Sequence, residues 1–233
     1  MSKKIAIIQS NYIPWKGYFD IINMVDEFIL YDDVQYTKND WRNRNRIKTR
    51  DGAQWITIPV HQHTLSQKIR DTKVAGNAWR KKHWKTIIVN YSHSKHFKEY
   101  RDIFEDHYLN RNEQFLSEIN YCFINLINGI LDINTKISWS TDYQSSSSKT
   151  ERLVNLCNIT GASEYITGPA AREYLDEELF AGEGIRITYM DYSGYPEYHQ
   201  MHPPFEHRVS ILDLIFNEGL RAKDFMKSFK VKR

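Results

Sequence analysis

The densest group of chemistry-bearing side chains runs Lys38-Asn39-Asp40-Trp41-Arg42-Asn43-Arg44-Asn45-Arg46. Arginine presents a planar fork of donors that suits phosphate or carboxylate, and the asparagines add short neutral donors and acceptors. Trp41 among them offers a face on which a base or sugar can stack. A second polar and aromatic run, Gln9 to Gly17, contributes Gln9, Asn11, Tyr12, Trp15 and Lys16 as candidate contacts. Between the two runs stand Asp32 and Asp33, with Gln35 just after. Either carboxylate could act as a base or bind a metal. Neighbours on a strand point oppositely, so both would reach one ion only if the strand has ended there. A late run, Tyr192 to Phe205, carries Tyr195, Tyr198, His199, Gln200 and His202. Histidine titrates near neutral pH, so His199 or His202 could remove a proton from an attacking amine, with Tyr198 and Gln200 contacting the substrate.

Elements must hold these groups together. Ile5–Ile8 is short, β-branched and followed by turn residues, which predicts a buried strand. Pro14 keeps the residue before it out of a helix, and Gly17 to Val25 has helical spacing. Glu27 to Tyr31 is a second strand running into Asp32-Asp33. One helical crossover makes these strands parallel, so the loops 9–17 and 32–46 leave the same end of a sheet and share one mouth. Asn43 to Thr49 and Gln54 to Val60 predict a hairpin turning at Asp51-Gly52. Its period-2 spacing would place Arg42, Arg44 and Arg46 on one face, either as a site or simply as a solvated surface.

Further along, Gln67 to Val74 has strand character, and Asn77 would cap a helix ending near Asn90. His96 to Asp132 predicts two more helices, so 78–132 forms a helical region. Ile133 to Ser140 returns to strand, and Ser145 to Ser148 is a short low-complexity stretch. Thr150 would cap a helix through Cys157, closed by Gly161. Glu164 to Thr167 is a strand, and Gly168-Pro169 would open a helix whose N–H groups an anion could approach. Ile185 to Met190 is the last strand, and Ser210 caps Ile211 to Asn217. The expected fold is α/β, a Rossmann-like parallel or mixed sheet in a single domain over residues 1–233. The loop from Tyr192 is long for a compact domain. We expect Tyr198 to His202 to fold back over the mouth.

Composition narrows the ligand. With 32 basic and 29 acidic residues the net charge is only +3. That balance, with basic residues concentrated locally, fits a small anionic ligand better than nucleic acid. His61 and His63 form half a metal site without a third ligand nearby in sequence, so no metal site is assigned. Cys122 and Cys157 lie in apolar helical patterns and read as buried free thiols, consistent with a cytoplasmic protein. The N-terminal apolar run is too short for a signal peptide, and nothing approaches the ~20 apolar residues of a membrane span.

The segments IIQSNYIPWKGYFDII, DDVQYTKNDWRNRNRIK and WITIPV resemble the WbqC-like family of bacterial proteins. KKHWKTIIVNYS, ASEYITGPAAREYLD and VSILDLIFNEG extend the resemblance over nearly the whole chain, with Ser10 standing where the pattern would have proline. Members often occur among genes for O-antigen and other surface polysaccharides. The resemblance implies that context and fixes no reaction or cofactor. The opening strand–loop–helix also resembles, in plan only, adenylyl-transferring α/β proteins, without their His-x-Gly-His segment.

The expected function is transfer of an acyl or aminoacyl group to the amine of a nucleotide-linked amino sugar. In that scheme Arg42, Arg44 and Arg46 meet the pyrophosphate and Trp15 or Trp41 stacks the base or sugar. Asn43, Asn45 and Gly168 add contacts. Two other classes compete: a non-catalytic nucleotide-sugar-binding protein, and an ATP- and magnesium-dependent ligase or nucleotidyltransferase.

Overall fold

The computed structural model describes residues 2–145 and 149–230, so 146–148 of the serine run lie outside the described residues. In chain order the elements are β1 (Lys4–Ile8), α1 (Lys16–Asn23), β2 (Glu27–Leu30), β3 (Arg44–Thr49) and β4 (Gly52–Thr57). Three helices follow, α2 (Ala78–Tyr91), α3 (Phe97–Leu109) and α4 (Leu116–Ile130). The remainder is β5 (Lys136–Trp139), α5 (Lys149–Thr160), β6 (Glu164–Thr167), α6 (Glu177–Gly182), β7 (Arg186–Tyr189) and α7 (Ile211–Glu218).

Five strands form one sheet in the order β5-β2-β1-β6-β7, with every neighbouring pair parallel. The fold is therefore α/β with a parallel sheet. Alternation along the strands assigns each face its own core. Ala6, Phe28 and Leu30 pack with Phe19 and Ile22 of α1 and with Phe123 and Ile127 of α4. Ile5, Ile7 and Ile29 point the other way, to Leu153, Leu156 and Cys157 of α5 and Phe180 of α6. The chain winds from β1 out to β2 and β5 on one side, then returns to build β6 and β7 on the other. Winding reverses between β1 and β6, which is where open α/β sheets bind ligands.

Four local expectations need correction. Residues 67–74 form no strand: they touch three separate segments through isolated bridges, Gln35↔Lys68, Val60↔Val74 and Lys73↔Phe115, so no one partner extends them into a ladder. The hairpin turns at Arg50-Asp51, because Thr49 already pairs with Gly52, whose φ of 107° suits only glycine. Helix α5 starts at Lys149, which puts Thr150 inside its first turn, its hydroxyl accepting from the Asp176 N–H at 3.5 Å. After Gly168 the chain makes only a 3-10 turn, Pro169–Glu173, before α6. Cys157 is buried and Cys122 half-buried, both as free thiols. No described helix is long and apolar enough to cross a membrane.

Candidate functional site

A cleft of about 590 Å³ opens at the carboxyl edge of the sheet. Asn11, Pro14 and Trp15, from the loop after β1, form its floor and one side. Trp41, on the approach to β3, and Asn45, within it, continue that side. The facing wall is Tyr192 to Tyr195 after β7, with His207 and Arg208 from just before α7.

The early wall is cross-braced from below. The Tyr12 N–H donates to the Trp41 carbonyl at 3.0 Å. The Asn45 amide donates to the carbonyls of Tyr12 and Ile13 at 3.0 and 2.9 Å. Those bonds help hold Ile13 at φ 36°, a strained angle for a β-branched residue. Arg42 reaches back with its two terminal nitrogens to the side-chain oxygens of Asn11 and Gln9. Asp40 lies 3.6 Å from the same guanidinium, and Asn120 holds the Arg42 carbonyl at 2.9 Å. Trp15 lies across Gly17, where any Cβ would collide with the indole.

Tyr12 is fully buried under this wall. Its hydroxyl meets His83 Nδ1 at 2.9 Å and the Tyr108 hydroxyl at 2.7 Å, and His83 Nε2 faces the Thr57 carbonyl at 3.1 Å. A carbonyl can only accept, so the His83 proton is on Nε2. Tyr12 then donates to Nδ1 and receives from Tyr108. Burial holds the His83 pKa down to about 4, keeping the ring neutral. Tyr12 thus supports the cleft from beneath.

Asp32 and Asp33 diverge. Asp32 accepts from the Ser10 N–H at 2.8 Å and from the Ser117 hydroxyl. A proline at position 10 would lack that N–H. Burial raises the Asp32 pKa, against these bonds. Asp33 turns to the other side, taking the Ser140 hydroxyl at 2.6 Å and Arg152. There burial alone would raise the pKa, but Ser140 and Arg152 outweigh it and hold the carboxyl below its ordinary value. Neither lines the cleft. Gln35 is exposed on a segment bridged to Lys68.

The arginines also separate. Arg44 and Arg46 share the outer face of the hairpin, 4.1 and 5.8 Å from the ring of Trp55. Arg42 precedes β3, leaves the alternation and turns inward. Asn43 is buried with its amide on the Ile58 carbonyl at 2.9 Å. Gly168 sits at the end of β6, close to the Tyr192 hydroxyl.

The late chain does cross the first loop, by other residues than expected. Lys16 is buried, donates to the Pro196 carbonyl at 3.1 Å, and lies 4.9 and 5.1 Å from the rings of Tyr195 and Tyr198. Burial holds its pKa down to about 8, against the attraction of Asp20 and Asp213. Trp15 packs edgewise on Tyr192 and Tyr195, at 5.0 and 5.7 Å. The Tyr198 hydroxyl and the Gln200 amide both donate to buried Asp213, at 2.6 and 2.8 Å, which makes them anchors beneath the wall.

His199 and His202 are not brought to the cleft. The His199 backbone N–H reaches Glu218, and its side chain is exposed. His202 lines a different concavity with Thr49, Arg50 and Asp51 at the hairpin tip. Four strand residues separate that tip from Asn45, about 13 Å at ~3.3 Å per residue. The imidazole in the cleft is His207, packed edgewise on Phe205 at 4.6 Å, with Nδ1 buried and without a hydrogen-bond partner. Burial, then the positive charge of Lys16, lowers its pKa from 6.5. The sequence marked the loop as unusual but gave His207 no local signal beyond lying three residues before the Ser210 cap. His61 and His63 stack on each other at 5.8 Å, and no group of three potential metal ligands occurs among the described residues.

The model of the WbqC-like protein family matches residues 9–225. The chain is 51% identical over 226 residues to the uncharacterized protein Rv1507c of Mycobacterium tuberculosis (strain ATCC 25618 / H37Rv), covering 97% of this chain and 98% of that one. No solved structure matches.

Proposed function

The chain belongs to the WbqC-like protein family, and from that premise we propose an enzyme of bacterial surface-polysaccharide (O-antigen) biosynthesis. It binds a nucleotide-linked amino sugar in the cleft and transfers an acyl or aminoacyl group to the sugar's amine. The observation that carries this reading is the imidazole of His207 in the lining of a cleft walled by Trp15, Trp41, Tyr192 and Tyr195. It stands where the sequence alone would have placed His199 or His202.

Such a transfer needs the amine to lose a proton as its nitrogen attacks the acyl carbonyl. A neutral imidazole accepts that proton, and the lowered pKa keeps His207 neutral near pH 7. As the new carbon–nitrogen bond forms, the donor's carbonyl–sulfur (or ester carbonyl–oxygen) bond breaks, and the imidazolium returns the proton to the departing thiolate (or alkoxide). Asn11, whose oxygen is taken by Arg42, keeps its amide N–H groups to offer a sugar hydroxyl or the developing oxyanion. Trp15 and Trp41 flank the ring, and Arg208 adds positive charge at the rim. Aromatic walls exclude water that would otherwise hydrolyse the donor.

Calorimetry against a panel of nucleotide-linked amino sugars, then turnover with acyl-thioester and aminoacyl donors read by mass spectrometry, tests the proposal. His207→Asn is expected to lower turnover ~10²–10⁴-fold while leaving nucleotide-sugar affinity nearly intact, the loss typical of a missing general base. The wild-type rate should fall on the acid side with an apparent pKa below 6.5, and the variant should lose that limb. Full activity in the variant would remove the mechanism.

A binding protein without turnover is favoured by one observation: among the described residues no carboxylate lines the cleft, and Asp32 and Asp33 are both committed elsewhere. Tight binding with no product from any donor would select it. The magnesium-dependent reading lacks its geometry, since the two carboxylates diverge.

A further inference from the structure

At the edge of the cleft Trp41 meets Trp55 of the hairpin, an aromatic pair that the core does not account for. Trp41 and Trp55 are 39% and 40% exposed, with ring centroids 5.1 Å apart and planes tilted by 42°. Trp41 lines the cleft, whereas Trp55 lies beyond it on β4, so the two rings continue the cleft outward over the hairpin face. The two indoles pack against each other at an angle, and the exposed part of each offers a face on which a flat ring can stack.

Charge around the pair sharpens the assignment. Arg42 is committed to Gln9 and Asn11, and Arg46 lies 3.8 Å from Glu206. Arg44 is different. Its guanidinium lies 4.1 Å from the Trp55 ring, and no carboxylate pairs with it among the described residues. A guanidinium stacked on tryptophan keeps its donor edge for phosphate oxygens.

We propose that Trp41, Trp55 and Arg44 form a nucleoside diphosphate subsite. The base stacks on the indole pair, the diphosphate passes Arg44, and the attached sugar is directed into the cleft toward His207. This rests on the nucleotide-linked substrate proposed above and adds its orientation.

Calorimetry with UDP, dTDP, GDP, ADP and CDP and their monophosphates provides the test, using the wild-type chain, Trp55→Ala, Trp55→Phe and Arg44→Ala. Removing a stacked aromatic should weaken the preferred diphosphate about 5- to 150-fold, the range for base–aromatic stacking. Trp55→Phe should fall between wild type and alanine. The Trp55→Ala loss should be similar for diphosphate and monophosphate, because it concerns the base. Arg44→Ala should reduce the preference for diphosphate over monophosphate. Circular dichroism and Tm identify any variant that fails to fold, and the partial effect of Trp55→Phe then carries the test. Undiminished diphosphate affinity in folded Trp55→Ala overturns the subsite and leaves the substrate class standing. Loss of affinity for a free amino sugar, with nucleotide binding intact, would reverse the orientation and also overturn it. Failure of the wild-type chain to bind any of the ten nucleotides would overturn both the subsite and the substrate class.

Discussion

The two walls of the cleft are built on different principles. The early wall, residues 9–15 and 41–45, leaves the sheet directly and is tied by side chains that bond to backbone. Asn45 holds two successive carbonyls, Asn120 holds the Arg42 carbonyl, and Ser10 rests on Asp32. The late wall, residues 190–209, has no regular secondary structure. Tyrosine tips reach from it to buried carboxylates, Tyr195 to Asp20 at 2.5 Å and Tyr198 to Asp213 at 2.6 Å, and the long side chains of Lys16 and Lys48 reach its Pro196 and Pro204 carbonyls. Asp20 also accepts from the N–H groups of Lys227 and Ser228 at 3.0 and 2.9 Å, which ties the C-terminal segment to the same anchor. Bonds to backbone fix a shape as part of the core. Bonds through a few side-chain tips allow a segment to open while the core stays folded.

Substitution should separate the walls by size and kind of effect. Asn45→Ala removes the donor for two carbonyls of a strained loop and the acceptor of the Arg46 N–H. We expect a loss of ~2–4 kcal/mol in denaturant unfolding, since each buried polar group left unpaired costs ~1–3 kcal/mol. Tyr195→Phe leaves Asp20 with three donors from Lys227 and Ser228. Global stability should fall by only ~1 kcal/mol, the net value of an ordinary hydrogen bond. Amide exchange in 190–209 should nevertheless accelerate, with the sheet unaffected. Equal protection of both walls in each variant would dissolve the distinction.

How far the sequence revealed each wall follows from the same difference. The parallel pairing of β1 with β2 was legible because one apolar run, one helical period and a second apolar run lie within 30 residues. The hairpin was legible from its turn, displaced by one residue because the positive φ falls after the turn at Gly52 rather than within it. The placement of β6 against β1 was not legible, and with it the winding reversal that locates the cleft. It depends on pairing across more than 150 residues, for which local pattern holds no record. The late loop was conspicuous for its tyrosines and prolines, but which residues face inward depends on Lys16, Asp20 and Asp213. Distance in sequence hides those three partners, so Tyr198 and Gln200, which the sequence predicts as substrate contacts, prove to be anchors on Asp213. The arginine triplet misled for a local reason: β3 begins at Arg44, so Arg42 never joins the alternation.

Titration gives the smallest and most specific test of the late wall. Lys16 spans both walls, since it begins α1 beside Trp15 and donates to Pro196. Burial lowers its pKa from 10.5 to about 8 in the folded chain. Between those values the unfolded chain binds more protons than the folded one, so stability should rise with pH from about 8 to 10.5. One proton limits that slope to ~1.4 kcal/mol per pH unit. Asp213 acts at the acid end with the opposite sense. Burial raises its pKa from 3.8, so its contribution is complete below that value and is lost as pH rises through the folded one. Lys16→Met should flatten the alkaline rise, and Asp213→Asn the acid fall. Both effects should also appear in amide exchange of 190–209. An alkaline rise that persists in Lys16→Met would place its source elsewhere and remove Lys16 as the titrating link between the walls.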